Sequence, residues 1–144
     1  MQKPHIIFIC HGSICRSPAA EFIMKKLSDN FSVISRAVSY EEIGNDIYPP
    51  MKNALRKADV PFSYHPAQHI SKEDYDWADY IFYMDKENFY RLDRLFPNSN
   101  KIHPIYEWTP PINEIEDPWY TGRYDKVVSQ ITDCVIDIIK KLER

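Results

Sequence analysis

The sequence contains no apolar run that approaches the length of about 20 residues needed to cross a bilayer. Its N-terminal stretch, MQKPHIIFIC, lacks the layout of a secretory signal, because the apolar part is short and ends in a polar loop. We therefore expect a cytoplasmic protein. Repeats, low-complexity tracts and linker-like segments are also missing, so we expect one domain over residues 1–144.

Cysteine and net charge are both low. Cys10, Cys15 and Cys134 are the three cysteines, an odd number that favours neither a disulfide scaffold nor the paired spacing of a zinc site. The formal net charge of −3 gives no reason to expect nucleic acid or an anionic membrane as a partner. An anion site in this chain must therefore be built locally, from backbone amides and a few cationic side chains. A monomer is the simplest expectation.

Patterns typical of strands and helices alternate along the chain. Residues 5–9 form an apolar run typical of a strand buried on both faces. Ser17 and Pro18 have the character of an N-cap and a first helical residue, which predicts a helix after the loop of residues 11–16. The other predicted strands are 31–38, 79–84 and 101–105, and the other predicted helices are 51–58, one starting at 71–74, 86–96 and 124–142. The alternation predicts a parallel sheet with helices on both faces, and a ligand at the carboxyl ends of its strands.

A Cys-x5-Arg loop joins the first predicted strand to the first predicted helix, from Cys10 to Arg16. Successive backbone N–H groups of such a loop can point at one anion at a helix N-terminus. Gly12 is expected to supply the backbone freedom that the loop needs. Arg16 can bind two phosphate oxygens, and the same positive field favours the thiolate of Cys10, the nucleophilic form of cysteine. Ser17 is expected to donate a hydrogen bond to that sulfur.

The alternative for Cys10 is a small buried residue at a strand end, because Cys-x5-Arg also occurs by chance. Its place between a strand and a capped helix favours a catalytic role.

If Cys10 attacks a phosphate ester, the reaction also needs an acid that protonates the leaving oxygen. Asp117 is the best candidate, since it lies in the irregular segment 107–121 beside Trp119 and Tyr120, which can flank a phenyl ring. A plain Asp-Pro turn and core positions for both aromatic residues are the alternatives.

Both motifs resemble those of the low-molecular-weight protein tyrosine phosphatases. That family carries Cys-x-Gly-Asn-Ile-Cys-Arg-Ser-Pro near its N-terminus and Asp-Pro-Tyr-Tyr or a close variant near its C-terminus. The likeness covers nearly the whole chain, including residues 35–44, 65–70 and 84–88. It implies a three-layer α/β fold with a four-stranded parallel sheet flanked by helices on both faces. It also implies a hydrolase that needs no metal or cofactor and acts on phosphotyrosine-containing proteins and aryl phosphates.

The resemblance implies roles for individual residues. Cys10 would form a cysteinyl-phosphate, Arg16 and the loop amides would hold the phosphoryl oxygens, and Asp117 would protonate the tyrosine oxygen and then activate water. Cys15 resembles the family's second loop cysteine, which can pair with the nucleophile under oxidation, and packing is its alternative role. The expected substrate-binding residues are His11, Gly12, Ser13, Ile14, Cys15, Ser17, Trp119 and Tyr120.

The chain departs from the family pattern around the pocket. Ser13 replaces the loop asparagine, so we expect the loop to be held differently. His11 stands where a small or apolar residue is common and is expected to line the pocket mouth, while Glu41 replaces an aromatic wall residue and predicts an unusual rim. His65 and His69 are interpreted as solvated loop histidines, with tuning of the nearby network as the alternative.

Three other functions fit parts of the pattern. Arsenate reductases share the fold and the loop but need further cysteines for a thiol relay, and Cys134 is expected to face the core. Relatives that act on phosphoarginine tend to carry Thr where this chain has Ile14, so Ile14 favours an aryl phosphate. A phosphotyrosine-binding module without turnover is the third alternative, and it is disfavoured by the joint presence of Cys10, Arg16 and Asp117.

Overall fold

Four strands form one parallel sheet in the computed structural model, which describes residues 2–143. They are β1 (His5–Cys10), β2 (Ser32–Ala37), β3 (Tyr80–Tyr83) and β4 (Ile102–Pro104), in the spatial order β2-β1-β3-β4. All three pairings are parallel. The predicted α/β fold with a four-stranded parallel sheet is therefore confirmed.

Strand β1 lies inside the sheet, and its apolar run is buried on both faces. Ile6 and Phe8 pack into one hydrophobic cluster, whereas Ile7 and Ile9 pack into another on the opposite face. All four side chains have no solvent exposure. This burial explains why the run is continuous rather than alternating with polar residues, because both faces of the strand meet helices.

Helices cover both faces of the sheet. The larger cluster includes Ile23, Met51 and Ile131 from three different helices, and the smaller one includes Leu92 from a fourth. No helix among residues 2–143 is both long and apolar enough to cross a membrane. The helices of this part of the chain are α1 (Arg16–Leu27), α2 (Pro49–Lys57), α3 (Lys72–Trp77), α4 (Lys86–Leu95), α5 (Pro118–Thr121) and α6 (Tyr124–Leu142).

Helix α6 has the predicted bounds and packs along α1. Its buried stripe is Val127, Val128, Ile131, Cys134, Val135 and Ile138, spaced as one face of a helix requires. Cys134 has no solvent exposure, so the prediction that it faces the core is confirmed. Burial raises the pKa of Cys134 to about 11, which keeps this thiol protonated near neutral pH.

Three predicted boundaries were wrong. Helix α1 begins at Arg16 with Cys15 at the N-cap, so Ser17 is not the cap, and its hydroxyl is directed to the loop instead. Helix α2 begins at Pro49 rather than after residue 50, because proline fits the first helical turn. The segment 107–121 is not wholly irregular, since it ends in α5.

Candidate active site

Cys10 is the last residue of β1 and lies at the carboxyl edge of the sheet. Its side chain is 3% exposed and lines a cavity of about 160 Å³ that is open to solvent. The backbone N–H of Ser17 donates to the Cys10 sulfur at 3.3 Å, and Ser17 Oγ lies at the same distance. Both groups can donate to a thiolate, so the predicted contact between Ser17 and the sulfur is present.

Arg16 is the first residue of α1 and is almost fully buried beside the same cavity. Its Nη1 donates to Asp85 Oδ2 at 2.7 Å and to the carbonyl oxygen of Ile115 at 2.8 Å. Burial alone would lower the pKa of Arg16, but the charges of Cys10, Asp85 and Asp117 raise it above its ordinary value. The guanidinium is therefore a permanent positive charge held in a fixed orientation.

Asp85 is a residue of the candidate site that the sequence interpretation missed. It follows β3 and forms the N-cap of α4, where its Oδ1 accepts a hydrogen bond from the backbone N–H of Asn88 at 2.9 Å. Its second oxygen binds Arg16, so one carboxylate fixes both a helix and the cation of the site. The sequence does show an aspartate between a predicted strand and a predicted helix at this position. That Asp85 lies near Cys10, however, depends on the pairing of β1 with β3.

Asp117 reaches the cavity from the N-cap of α5. Its Oδ1 accepts a hydrogen bond from the backbone N–H of Trp119 at 3.0 Å, and its Oδ2 lies 3.6 Å from Nη2 of Arg16. The Asp117 side chain is 27% exposed and lines the cavity together with Cys10 and Arg16. The three residues predicted to be catalytic thus surround one space, and a role of Asp117 beyond capping α5 stays a prediction.

The segment that carries Asp117 is fixed on both sides. Ile115 is fully buried, and its backbone N–H donates to the carbonyl oxygen of Met84 at 2.9 Å. Glu116 pairs with Arg123 at 2.7 Å and with Lys126 at 2.8 Å. The hydrogen bonds from Lys126 and Arg123 lower the pKa of Glu116 to about 2. Glu116 therefore stays ionised and ties the segment to the start of α6.

The loop conformation differs from the one expected from its glycine. Ser13, not Gly12, has a left-handed backbone, with φ of 57°. Gly12 does not have a positive φ, and a Cβ at this position would lie 3.0 Å from Cγ of Glu42, so the glutamate side chain would have to shift slightly. The prediction that Gly12 supplies backbone freedom was wrong, and the residue instead permits the close approach of a neighbouring side chain.

Ser13 and Ser17 are fully buried below the loop and do not line the cavity. Ser13 Oγ lies 2.8 Å from Ser17 Oγ and 3.2 Å from Nε2 of His65. Nε2 of His65 also lies 3.1 Å from the carbonyl oxygen of Ser13. A continuous polar chain therefore leads from His65 through both serines to the Cys10 sulfur, and the serine side chains support the loop and the sulfur.

His65 is buried, so its interpretation as a solvated loop histidine was wrong. The ring is 8% exposed, and its Nδ1 lies 3.9 Å from Glu21, whose carboxylate accepts a hydrogen bond from Ser35 Oγ at 2.6 Å. His69 is outside this network and stacks on Tyr40 with ring centroids 4.1 Å apart. The alternative that a histidine tunes the loop network therefore fits His65 only.

Cys15 forms part of the cavity wall but is largely buried. Burial, together with the charge of Cys10, raises the pKa of Cys15 far above its ordinary value. Cys10, Cys15 and Cys134 are all free thiols in this structure. Packing accounts for the position of Cys15, and its pairing with Cys10 under oxidation stays a prediction.

The wall of the cavity contains both aromatic residues and carboxylates. Trp119 is 52% exposed and Tyr120 84% exposed, so neither is a core residue and that alternative was wrong. His11 also lines the cavity, as predicted, and its Nε2 lies 2.9 Å from Oε1 of Glu41. Its Nδ1 lies 3.1 Å from Oε1 of Glu87, but the geometry of this contact is not that of a hydrogen bond. Ile14 adds an apolar surface to the cavity.

A family model described as low molecular weight phosphotyrosine protein phosphatase matches residues 5–144. The chain belongs to this family of enzymes. Among curated relatives of this phosphatase family, the human low molecular weight phosphotyrosine protein phosphatase is 34% identical, and the alignment covers 94% of each chain. The low molecular weight protein-tyrosine-phosphatase YfkJ of Bacillus subtilis is 31% identical, with 90% of each chain covered.

Solved structures of family members share the fold. The low molecular weight protein tyrosine phosphatase of Streptococcus pyogenes superposes with a TM-score of 0.91 at 28% identity, over 98% of this chain and 94% of that one. The YwlE arginine phosphatase of Geobacillus stearothermophilus superposes with a TM-score of 0.86 at 23% identity, over 97% and 93% of the two chains. At that identity the second likeness concerns the fold alone.

Proposed function

We propose that residues 1–144 act as one domain that hydrolyses phosphotyrosine in proteins, and aryl phosphates, through a cysteinyl-phosphate intermediate. The observation that carries the proposal is the convergence of Cys10, Arg16 and Asp117 on one solvent-open cavity with an exposed Trp119 at its mouth. A nucleophile, a phosphate-binding cation and an acid are the groups that this reaction requires.

In the first step, the Cys10 thiolate attacks phosphorus. A sulfur–phosphorus bond forms while the bond between phosphorus and the phenolic oxygen breaks. Arg16 and the amides of the loop hold the phosphoryl oxygens, where charge is concentrated. Protonated Asp117 gives its proton to the phenolic oxygen, so tyrosine leaves as the neutral phenol.

In the second step, water attacks the cysteinyl-phosphate. Asp117, now a carboxylate, accepts a proton from the water as its oxygen bonds to phosphorus. The sulfur–phosphorus bond breaks and the Cys10 thiolate is restored. The backbone N–H and hydroxyl of Ser17, each 3.3 Å from the sulfur, stabilise that thiolate as it departs.

The cavity wall favours an aryl phosphate over phosphoarginine. Ile14 and Trp119 offer apolar and aromatic surface to a phenyl ring. A thiol relay of the arsenate reductase type is disfavoured, because Cys134 lies on the buried face of α6 and its thiol stays protonated. A binding module without turnover is disfavoured by the complete set of Cys10, Arg16 and Asp117.

The test is a panel of substrates with EDTA present. We expect release of phosphate from p-nitrophenyl phosphate and from a phosphotyrosine peptide, and much slower release from a phosphoarginine peptide. Arsenate with a thiol reductant should not be reduced. Preferential hydrolysis of the phosphoarginine peptide, or reduction of arsenate, would replace the proposal with one of the two alternatives.

A further inference from the structure

The segment after β2 places two consecutive glutamates, Glu41 and Glu42, on the wall of the cavity. They line the same cavity as Trp119 and Tyr120 and lie next to the loop residues His11 and Gly12. A phenyl ring entering the cavity would therefore meet both aromatic surface and carboxylates. The residues of a substrate that flank the ring must pass close to these carboxylates.

Glu42 is held against the loop by packing. Its Cγ occupies the space that a side chain at position 12 would need, and its Oε1 accepts a hydrogen bond from Nδ2 of Asn45 at 3.1 Å. This placement leaves one negative charge near the loop backbone.

Glu41 is held by His11, whose Nε2 lies 2.9 Å from Oε1 of the glutamate. Its side chain is 62% exposed, so the carboxylate stands at the rim and can meet a substrate directly. The hydrogen bond from His11 lowers the pKa of Glu41, so the carboxylate stays ionised.

The positive charges nearby act on Glu41 more than on Glu42, whose side chain is hydrogen-bonded to the neutral Asn45. Arg16 is buried and already binds Asp85. Arg91 lies 3.7 Å from Glu87 and offsets that third carboxylate. Arg91 and Arg94 line a groove that Glu41 also borders, and the charge of Arg91 contributes to the lowered pKa of Glu41.

We infer that Glu41 and Glu42 select phosphotyrosine sites with lysine or arginine directly beside the phosphotyrosine. The inference rests on the proposed function and names its substrate class. An acidic residue at the same place would meet two like charges, and a basic one would form ion pairs with them. Such exposed pairs are individually weak. We therefore expect a preference of about 3- to 10-fold in kcat/KM for two exposed carboxylates acting together.

The test uses two phosphotyrosine peptides that differ only at the residues on either side of the phosphotyrosine, lysine in one and glutamate in the other. The ratio of their kcat/KM values is measured for the wild type, for Glu41→Gln with Glu42→Gln combined, and for Asp29→Asn. Asp29 is an exposed residue between α1 and β2, at the opposite edge of the sheet, and its change removes a charge without touching the pocket.

We expect the ratio to be about 3 to 10 in the wild type and in Asp29→Asn, and close to 1 in the double variant. The ratio should also fall as salt is added, because exposed charges are screened. Equal values for both peptides in the wild type, or an unchanged ratio in the double variant, would overturn the inference and leave the proposed function intact. Hydrolysis of neither peptide would overturn both.

Discussion

The carboxylate of Asp117 lies 3.6 Å from the guanidinium of Arg16, although the two residues come from near opposite ends of the chain. Arg16 starts the helix that follows the nucleophile, and Asp117 caps the short helix before α6. The contact therefore sets the position of the proposed acid relative to the proposed phosphate-binding cation. Each proposed chemical role can be tested by a separate substitution.

Replacing Cys10 by serine tests the nucleophile. Cys10→Ser should reduce kcat by at least roughly 10³-fold, because a serine hydroxyl is not ionised near neutral pH. The pocket should still bind a phosphotyrosine peptide, since Arg16 and the loop amides are unchanged. Turnover assays check the loss of kcat, and calorimetry checks peptide binding. Activity of Cys10→Ser comparable to that of the wild type would exclude a covalent role for Cys10.

Asp117→Ala tests the acid. It should lower kcat on phosphotyrosine by roughly 10²–10⁴-fold, the usual share of general acid catalysis. The loss should be much smaller on p-nitrophenyl phosphate, because that phenolate leaves without needing a proton. A leaving-group series measured by steady-state kinetics gives the comparison. An equal loss across the series would show that Asp117 acts through structure rather than through proton transfer.

Asp85→Asn tests the residue that orients Arg16. Asparagine is as good an N-cap as aspartate, so α4 should be retained. The charge-assisted bond to Arg16 at 2.7 Å is weakened, and we expect kcat/KM to fall by about 10-fold. Measuring kcat/KM of Asp29→Asn in parallel controls for the loss of one negative charge. The same kcat/KM in both variants would argue against an orienting role for Asp85.

Position 13 allows the backbone strain of the loop to be isolated. Ser13→Gly and Ser13→Ala both remove the buried hydroxyl, but only alanine keeps a Cβ at a left-handed φ of 57°. The glycine variant should therefore be more stable than the alanine variant by about 1 kcal/mol. Urea unfolding of the two variants measures this difference. If alanine proves equally stable, the strain at this position is not significant.

Glu116 provides a prediction about pH. Its pKa is lowered to about 2 in the folded protein, so its ion pairs stabilise the fold above the unfolded pKa near 4.5 and are lost as pH falls towards 2. The Tm difference between wild type and Glu116→Gln should stay the same from pH 7 to pH 5 and shrink below pH 4.5. Calorimetry at low salt measures it, and a difference that disappears already by pH 5.5 would contradict this assignment.

The sequence was most informative where the chemistry is local. The loop from Cys10 to Arg16 is contiguous, so its residue types alone indicated an anion cradle beside a nucleophile. Asp85 could not be found in this way, because its position beside Arg16 depends on β3 pairing with β1. The order of strands in a sheet is a tertiary property that residue periodicity does not encode.

Two further errors have a similar origin. His65 was assigned to solvent because its neighbours look like a loop, but that segment runs back along the end of β2, where Ala37 pairs with His69. The ring is thereby buried against Ser13. The expectation that Gly12 supplies the backbone freedom of the loop fails because Ser13 has the left-handed angle, and the nearness of Glu42 to Gly12 depends on the three-dimensional path of the chain.

The bond between Arg16 and Asp85 also bears on how the reaction ends. Orthophosphate left in the cavity after hydrolysis faces one guanidinium, of which one nitrogen is already engaged by Asp85. Around it stand the restored thiolate of Cys10 and the Asp117 carboxyl group, which has taken a proton from the attacking water. Because Asp85 holds one nitrogen of Arg16, this guanidinium has fewer hydrogen bonds to give to the product, and the same pairing that orients the cation for catalysis should help to empty the site for the next turnover.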